Sequence, residues 1–388
     1  MLRNVISDRE KDLPILTIGK FLKLAEEDKS VLSLGPGEPD FDAPPNVIKA
    51  AKKALDDKET HYSPVGGRQD LKEAVVKAVK KNNKIKCNPE NVMITTGSTE
   101  GILLTLLCIM DPGESVIVPD PSFLSYEPTV EILSGKVIKM KLHEQDDFHP
   151  NFDRFNKKFN PEKTRAIIIN TPSNPTGVVF RKKMLEEVAD FAVENDLIIM
   201  SDEAYEKLIY DGVEHTSIGS FNGMEDRVVT LHSFSKSYAM PGFRVGYAIA
   251  SEKLVEAMKK VHIFTSLSTP TISQIAAIEA LKGPQGYVDK MVKEYDRRRK
   301  MIVKRLDEME GVECVRPQGA FYAFPKIESF GMKSLEFSEQ LLKKAKVAVL
   351  PGTEFGAGGE GFIRCSYATS YEKIEKALDK MKKFLRDF

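Results

Sequence analysis

A lysine among small hydroxyl residues is the first place where this chain could do chemistry. Lys236 sits in Ser233-Phe234-Ser235-Lys236-Ser237-Tyr238-Ala239-Met240-Pro241-Gly242-Phe243-Arg244-Val245-Gly246, directly after the apolar run Val228-Val229-Thr230-Leu231. A hydrophobic core has little need of such a lysine, but a covalent role does. A deprotonated amine held near a carbonyl forms a Schiff base, and desolvation beside positive charge lowers its pKa enough to do so. Arg244 supplies a charge of that kind. The plainer alternative is a surface lysine following a strand.

The elements that must position Lys236 carry other polar groups. From Asn91 onward short apolar runs alternate with helical patterns, the mark of a parallel α/β sheet. Strands are expected at Val92–Thr95, Ser115–Val118, Arg165–Ile169, Leu197–Ser201, Val228–His232 and Val245–Ala250. They lack strict alternation, as strands buried on both faces do. The first run is followed by Thr96-Gly97-Ser98-Thr99, opening a helix. After the second come Asp120-Pro121-Ser122-Phe123 and Tyr126, and after the third Asn170-Thr171-Pro172-Ser173-Asn174-Pro175-Thr176-Gly177. Asp202, Glu203 and Tyr205 follow the fourth, and Ser233 to Lys236 the fifth. Ligands of open α/β sheets bind outside the carboxyl ends of the strands. These clusters are therefore expected to converge on one edge.

Each cluster has its own chemistry. Gly97-Ser98-Thr99 at a helix start offers bare N–H groups and the positive dipole end to an anion. With Ser233 and Arg244 it provides the hydroxyls, backbone donors and guanidinium that a phosphate monoester needs. Asp202 leaves a buried strand as a carboxylate, which is costly unless paired. A cationic ring nitrogen would pair it; an ordinary helix N-cap is the other reading. Arg364 lies in the strand-like run Phe362-Ile363-Arg364-Cys365-Ser366, where a guanidinium is expensive unless a carboxylate meets it as a bidentate clamp. An exposed edge position is the alternative.

The Ser233–Gly246 stretch, with Asn174-Pro175-Thr176-Gly177, Asp202-Glu203-Ala204-Tyr205 and Arg364, resembles the signature of the class I and II aminotransferases. These are fold-type I enzymes that use pyridoxal 5′-phosphate. The resemblance runs from Gly35 to Ser366. It implies an α/β fold, a large domain with a mixed, mainly parallel sheet plus a smaller α/β domain. Residues 1–43 would form an N-terminal arm and part of the small domain, 44–284 the large cofactor-binding domain, and 285–388 the small C-terminal domain. The pattern after Leu281 fits that division. A long amphipathic helix over Tyr287–Glu310 leads to short strands at Val312–Val315 and Gly319–Phe324, then Val347–Leu350, Phe362–Ser366 and a final helix.

Site roles follow from the same resemblance. Lys236 would hold the cofactor as a Schiff base, with Ser233 and Arg244 on its phosphate and Asp202 on its ring nitrogen. Asn174 and Tyr205 would hydrogen-bond the phenolic oxygen, Phe123 would stack on the ring, and Arg364 would take the substrate α-carboxylate. Gly37, in Gly35-Pro36-Gly37-Glu38-Pro39-Asp40-Phe41, would offer its N–H to that carboxylate. Tyr62, before Gly66-Gly67, would reach the phosphate of a neighbouring subunit and so implies a homodimer with shared active sites. Asp120-Pro121 and Asn174-Pro175 would be cis. The implied activity moves the amino group of an amino acid to a 2-oxo acid such as 2-oxoglutarate by ping-pong kinetics. No extra cation stands at Thr99 or in Phe264–Pro270, and the N-terminal arm offers Ile15, Leu16 and Ile18. An aromatic or apolar substrate is expected, and the spacing looks most like the archaeal aromatic aminotransferases. The alternatives are an aspartate or broad-specificity aminotransferase, a C–S β-lyase on the same fold, and, more remotely, a cofactor-binding transcriptional regulator.

Composition narrows the partners. The chain has 388 residues, 41% hydrophobic, enough for a globular protein of about two or three domain-sized units. Lys plus Arg equals Asp plus Glu at 57 each, so no net field recruits nucleic acid or anionic lipid. The four cysteines form no CxxC pair, which fits a reducing cytoplasm and argues against a metal site or disulfide framework. The six histidines show no ligand spacing. No apolar run approaches the roughly 20 residues of a membrane span, and the charged start lacks a signal-peptide pattern.

Overall fold

The computed structural model describes residues 27–155 and 159–387, and of the first 26 residues only 5–7, 10, 13, 14, 17 and 19. Ile15, Leu16 and Ile18 therefore lie outside the described residues.

The centre is a seven-stranded sheet of β1 (Val92–Thr95), β2 (Ser115–Asp120), β3 (Lys136–Lys141), β4 (Thr164–Asn170), β5 (Ile198–Asp202), β6 (Val228–Ser233) and β7 (Gly246–Ile249), in the order β1-β7-β6-β5-β4-β2-β3. Alternate residues of its inner strands face two cores. Ile167, Ile169 and Ile199 pack on one side, and Ala166, Ile168 and Met200 on the other. Full burial of each such isoleucine contributes about 1.5–3 kcal/mol, and this explains why the strands read as unbroken apolar runs. Edge strand β3 was not expected. Its Lys136, Lys139 and Lys141 interrupt the apolar pattern, a common guard against edge-to-edge pairing.

The helices around the sheet are α1 (Pro45–Asp56), α2 (Gln69–Asn82), α3 (Ser98–Ile109), α4 (Tyr126–Ile132), α5 (Lys182–Glu194), α6 (Glu252–Thr265) and α7 (Thr271–Lys282). Then come α8 (Gly286–Asp307), α9 (Ser334–Gln340) and α10 (Tyr371–Leu385).

The sheet is mixed rather than wholly parallel. β7 pairs antiparallel with both β1 and β6, with Gly246 opposite Thr95 and Ser233. Its start, not its end, therefore lies at the carboxyl edge of β1 and β6, which brings Arg244 there. Gly246 is required at this crossing: a Cβ would stand 2.6 Å from the His232 carbonyl and 2.9 Å from the Ser98 nitrogen.

A separate apolar cluster joins Leu34 to residues of α8, α10 and the 320–323 and 347–349 segments. Leu32–Ser33 pairs parallel with Val347–Ala348, and Ile363–Ser366 runs antiparallel to both Leu350–Pro351 and Tyr322–Ala323. The strand expected over Val312–Val315 is absent. Glu313 makes only an isolated bridge to Lys326. Among the described residues no helix is long and apolar enough to cross a membrane, and no side-chain cluster could hold a metal ion.

Candidate active site

Five strand ends and two segments of the C-terminal part meet in a cavity of about 510 Å³. Gly37, Gly97, Ser98, Thr99, Phe123, Asn174, Asp202, Tyr205, Ser233, Lys236, Arg244 and Arg364 all line it. Of the expected site residues only Tyr62 does not. It stands 83% exposed on the surface.

Lys236 lies in the single helical turn Phe234–Ser237, capped by the Ser233 side chain, which accepts from the Ser235 N–H. Its amine donates to the Gly37 carbonyl at 2.5 Å. Burial, then Arg364, and also Arg244 bring its pKa down to about 8, with Glu38 and Asp202 pulling the other way. A lysine so tuned is partly neutral near physiological pH, as a nucleophilic amine requires.

Asp202 ends β5 and is buried. Tyr126 donates its hydroxyl to Asp202 Oδ2 at 2.7 Å, and the Ala204 N–H donates to Oδ1 at 3.1 Å. Burial raises the pKa of Asp202, and these two donors oppose the rise. On the next strand Asn170 pairs in register with Asp202 and fixes the following loop, its Oδ1 accepting the Asn174 N–H at 2.8 Å.

Arg364 is 2% exposed. It donates to Asn174 Oδ1 at 2.9 Å and to the Gly35 carbonyl at 2.8 Å, and its Nε has no partner. Its guanidinium lies 4.2 Å from the Tyr322 ring centre and 4.7 Å from that of Phe355. Among the described residues no salt bridge reaches it, and burial lowers its pKa. A buried cation with only neutral acceptors is poised for an anionic ligand. Asp120-Pro121 and Asn174-Pro175 are cis, and so is Thr171-Pro172.

The anion cradle forms where α3 begins. Gly97 has φ +81°, and a Cβ there would meet Arg244 Nη2 at 2.9 Å. Side-chain-free backbone, the hydroxyls of Ser98, Thr99 and Ser233, and a guanidinium thus share one end of the cavity.

The class I and II aminotransferase family model matches residues 29–381. The chain belongs to this family. Aspartate aminotransferase of Pyrococcus abyssi is 46% identical over 385 residues, covering 98% of each chain, and aromatic-amino-acid aminotransferase 2 of Thermococcus litoralis has the same identity and coverage. The crystal structure of an aromatic aminotransferase from Pyrococcus horikoshii superposes with a TM-score of 0.90 at 45% identity, covering 95% of this chain and 99% of that one.

Three residues that line or brace the aminotransferase site were not foreseen from the sequence. Tyr322 bonds the Tyr205 hydroxyl at 2.9 Å and lies beneath Arg364. In sequence it is one aromatic in an alternating run, and only its pairing opposite Ser366 exposes its role. Tyr126 was read as part of a polar cluster, yet it is fully buried and holds Asp202. Glu38 adds a carboxylate to the cavity wall. Gly37, expected to offer its N–H, presents its carbonyl to Lys236.

Proposed function

We propose that this aminotransferase uses pyridoxal 5′-phosphate to move the amino group of an aromatic or apolar amino acid to a 2-oxo acid such as 2-oxoglutarate. We infer further that it works as a cytoplasmic homodimer whose subunits share their active sites. The observation that carries the reading is the placement of Lys236, the pKa of its amine brought down to about 8, between a phosphate-type cradle and an Arg364 that no salt bridge reaches among the described residues. The residues fit the cofactor on three counts: Gly97 leaves room beside Arg244, Asp202 offers a buried carboxylate, and Lys236 has a tuned amine.

In this reading Ser98, Thr99, Ser233 and Arg244 bind the phosphate, while Phe123 packs on the ring face. Asp202 holds a proton on the ring nitrogen, since a carboxylate braced by Tyr126 favours the cationic ring. Asn174 and Tyr205 donate to the phenolic oxygen. When bound, the cofactor supplies a carbonyl that takes up the amino group and a ring that draws electrons from the substrate Cα. Arg364 clamps the substrate α-carboxylate and so orients the Cα–H bond. Lys236 Nζ would hold the cofactor, and its amine is the base that would take the proton from the substrate Cα. Residues 44–284 act as the large cofactor-binding domain, 1–43 as an N-terminal arm and part of the small domain, and 285–388 as the small C-terminal domain. The four cysteines are free, as a reducing compartment would leave them.

Replacing Lys236 by alanine tests the reading. The variant should bind pyridoxal 5′-phosphate without transaminating, and borohydride should fix cofactor to the wild-type chain but not to the variant. Wild-type turnover in Lys236→Ala would refute it.

A further inference from the structure

Beside the phosphate cradle lies a pair, a partly buried Glu100 and a buried His262, that the mechanism above does not use. Glu100 follows Thr99 directly in the first turn of α3. Its Oε2 accepts the Thr96 N–H at 2.6 Å, and its Oε1 accepts the Ser266 hydroxyl. The carboxylate therefore straps the backbone just before Gly97 to the end of α6. This anchor carries an electrostatic cost. A negative charge in the first helical turn competes with a bound phosphate for the same helix dipole.

His262, on α6, faces this charge. It is fully buried. Its Nδ1 lies 2.9 Å from the Val65 carbonyl, which can only accept, so Nδ1 carries a proton. Its Nε2 lies 3.4 Å from Glu100 Oε2. A neutral ring protonated on Nδ1 would turn a lone pair toward the carboxylate, whereas an imidazolium turns an N–H toward it. Lys259, one turn earlier on α6, bonds Glu256 at 2.6 Å instead.

We propose that Glu100 and His262 act together as positioning residues for the phosphate cradle, with a doubly protonated His262 cancelling the charge of the carboxylate that anchors it. The proposal rests on the reading of this site as a pyridoxal 5′-phosphate site. It also explains why the pair spans three segments. Glu100 fixes the cradle, Ser266 ends α6, and Val65 belongs to the loop that presents Tyr62. The electrostatics of the pair agree with this. Burial opposes the charge on His262, but Glu100 and the Val65 carbonyl outweigh it and raise the pKa. Burial likewise opposes ionisation of Glu100, yet His262, Ser266 and Thr96 bring its pKa down to about 2.

The test uses the full-length chain freed of cofactor, with pyridoxal 5′-phosphate and unphosphorylated pyridoxal as probes. Asparagine at position 262 keeps a donor for Val65 and removes the charge. His262→Asn should weaken pyridoxal 5′-phosphate about tenfold while leaving pyridoxal within about twofold. Adding Glu100→Gln should recover most of the loss. Nitrogen-15 NMR of the wild-type chain should show both ring nitrogens of His262 protonated at neutral pH. Equal weakening of both probes, no recovery in the double variant, or a neutral imidazole would each overturn the proposal. A wild-type chain without preference for the phosphorylated probe would overturn the cofactor reading, and the proposal with it. A preference that survives His262→Asn intact would overturn the proposal alone. The NMR measurement needs no substitution, so it decides the charge state even if a variant fails to fold.

Discussion

At the scale of single residues the site is defined by which charges are already committed. The cations among the described residues of the cavity wall are Lys236, Arg244 and Arg364, and Glu38 adds an anion. Each cation has a proposed partner, so a second substrate carboxylate would enter without one, at a cost of several kcal/mol if buried. Phenylalanine or tyrosine should therefore exceed aspartate in kcat/KM by about tenfold, the equivalent of 1.4 kcal/mol. A donor panel with 2-oxoglutarate measures this, and an aspartate preference would contradict it. Lys236 gives a second prediction. Its folded pKa of about 8 lies below its ordinary 10.5, so the unfolded chain binds its proton more tightly. The cofactor-free protein should gain stability as pH rises from about 8 toward 10, and Lys236→Met should remove that gain in urea titrations across the same range. The chemistry of Lys236, Asp202 and Arg364 was legible because each is a charge in an apolar stretch. Tyr322 and Tyr126 were not, because a buried tyrosine reads as core until its hydroxyl partner is placed.

At the scale of elements, what could be read depended on burial. Strands covered on both faces are apolar throughout, even β1 at the sheet edge, so β1 was located to the residue and β2, β4, β5 and β6 to within two residues at each end. β3 was missed because half of its residues answer to solvent. The reversal of β7 was not legible either. No residue type encodes strand direction, yet that reversal is what brings Arg244 to the cradle. The loop Gly35–Phe41 depends on an element distant in sequence. Arg298 of α8, 6% exposed, grips Asp40 at 2.8 and 3.0 Å and lies over Phe41. This bond holds the loop whose Gly35 and Gly37 carbonyls receive Arg364 and Lys236. Asp40→Ala should loosen the substrate side of the site alone. KM for the amino donor should rise several-fold, about 1 kcal/mol, with cofactor absorbance unchanged. A fall in kcat at constant KM would show that the loop acts on the chemistry instead.

At the scale of the whole molecule the surface around Tyr62 is the unfinished part. Tyr62 is 83% exposed and Phe264 88%, both on the corner between α6 and α7 and the loop before α2. That corner is stiff rather than frayed. Thr271 donates to the His61 carbonyl at 2.7 Å, Ser63 and Thr271 share a hydroxyl bond at 2.7 Å, and His262 holds Val65. Two large aromatic side chains held out by an ordered backbone are what an isologous contact between copies needs. In that contact Tyr62 would complete the phosphate site of the other subunit, and complementation tests it directly. Lys236→Ala homodimers should be inactive, and Tyr62→Ala homodimers should retain cofactor poorly. In a hybrid, one site then keeps both residues while the other loses both. After unfolding and refolding an equal mixture, hybrids make up about half of the dimers, so about a quarter of all sites should be intact. Titration of active sites with borohydride-fixed cofactor counts them. If Tyr62 served its own subunit, every site in the hybrid would lack one residue and mixing would restore nothing.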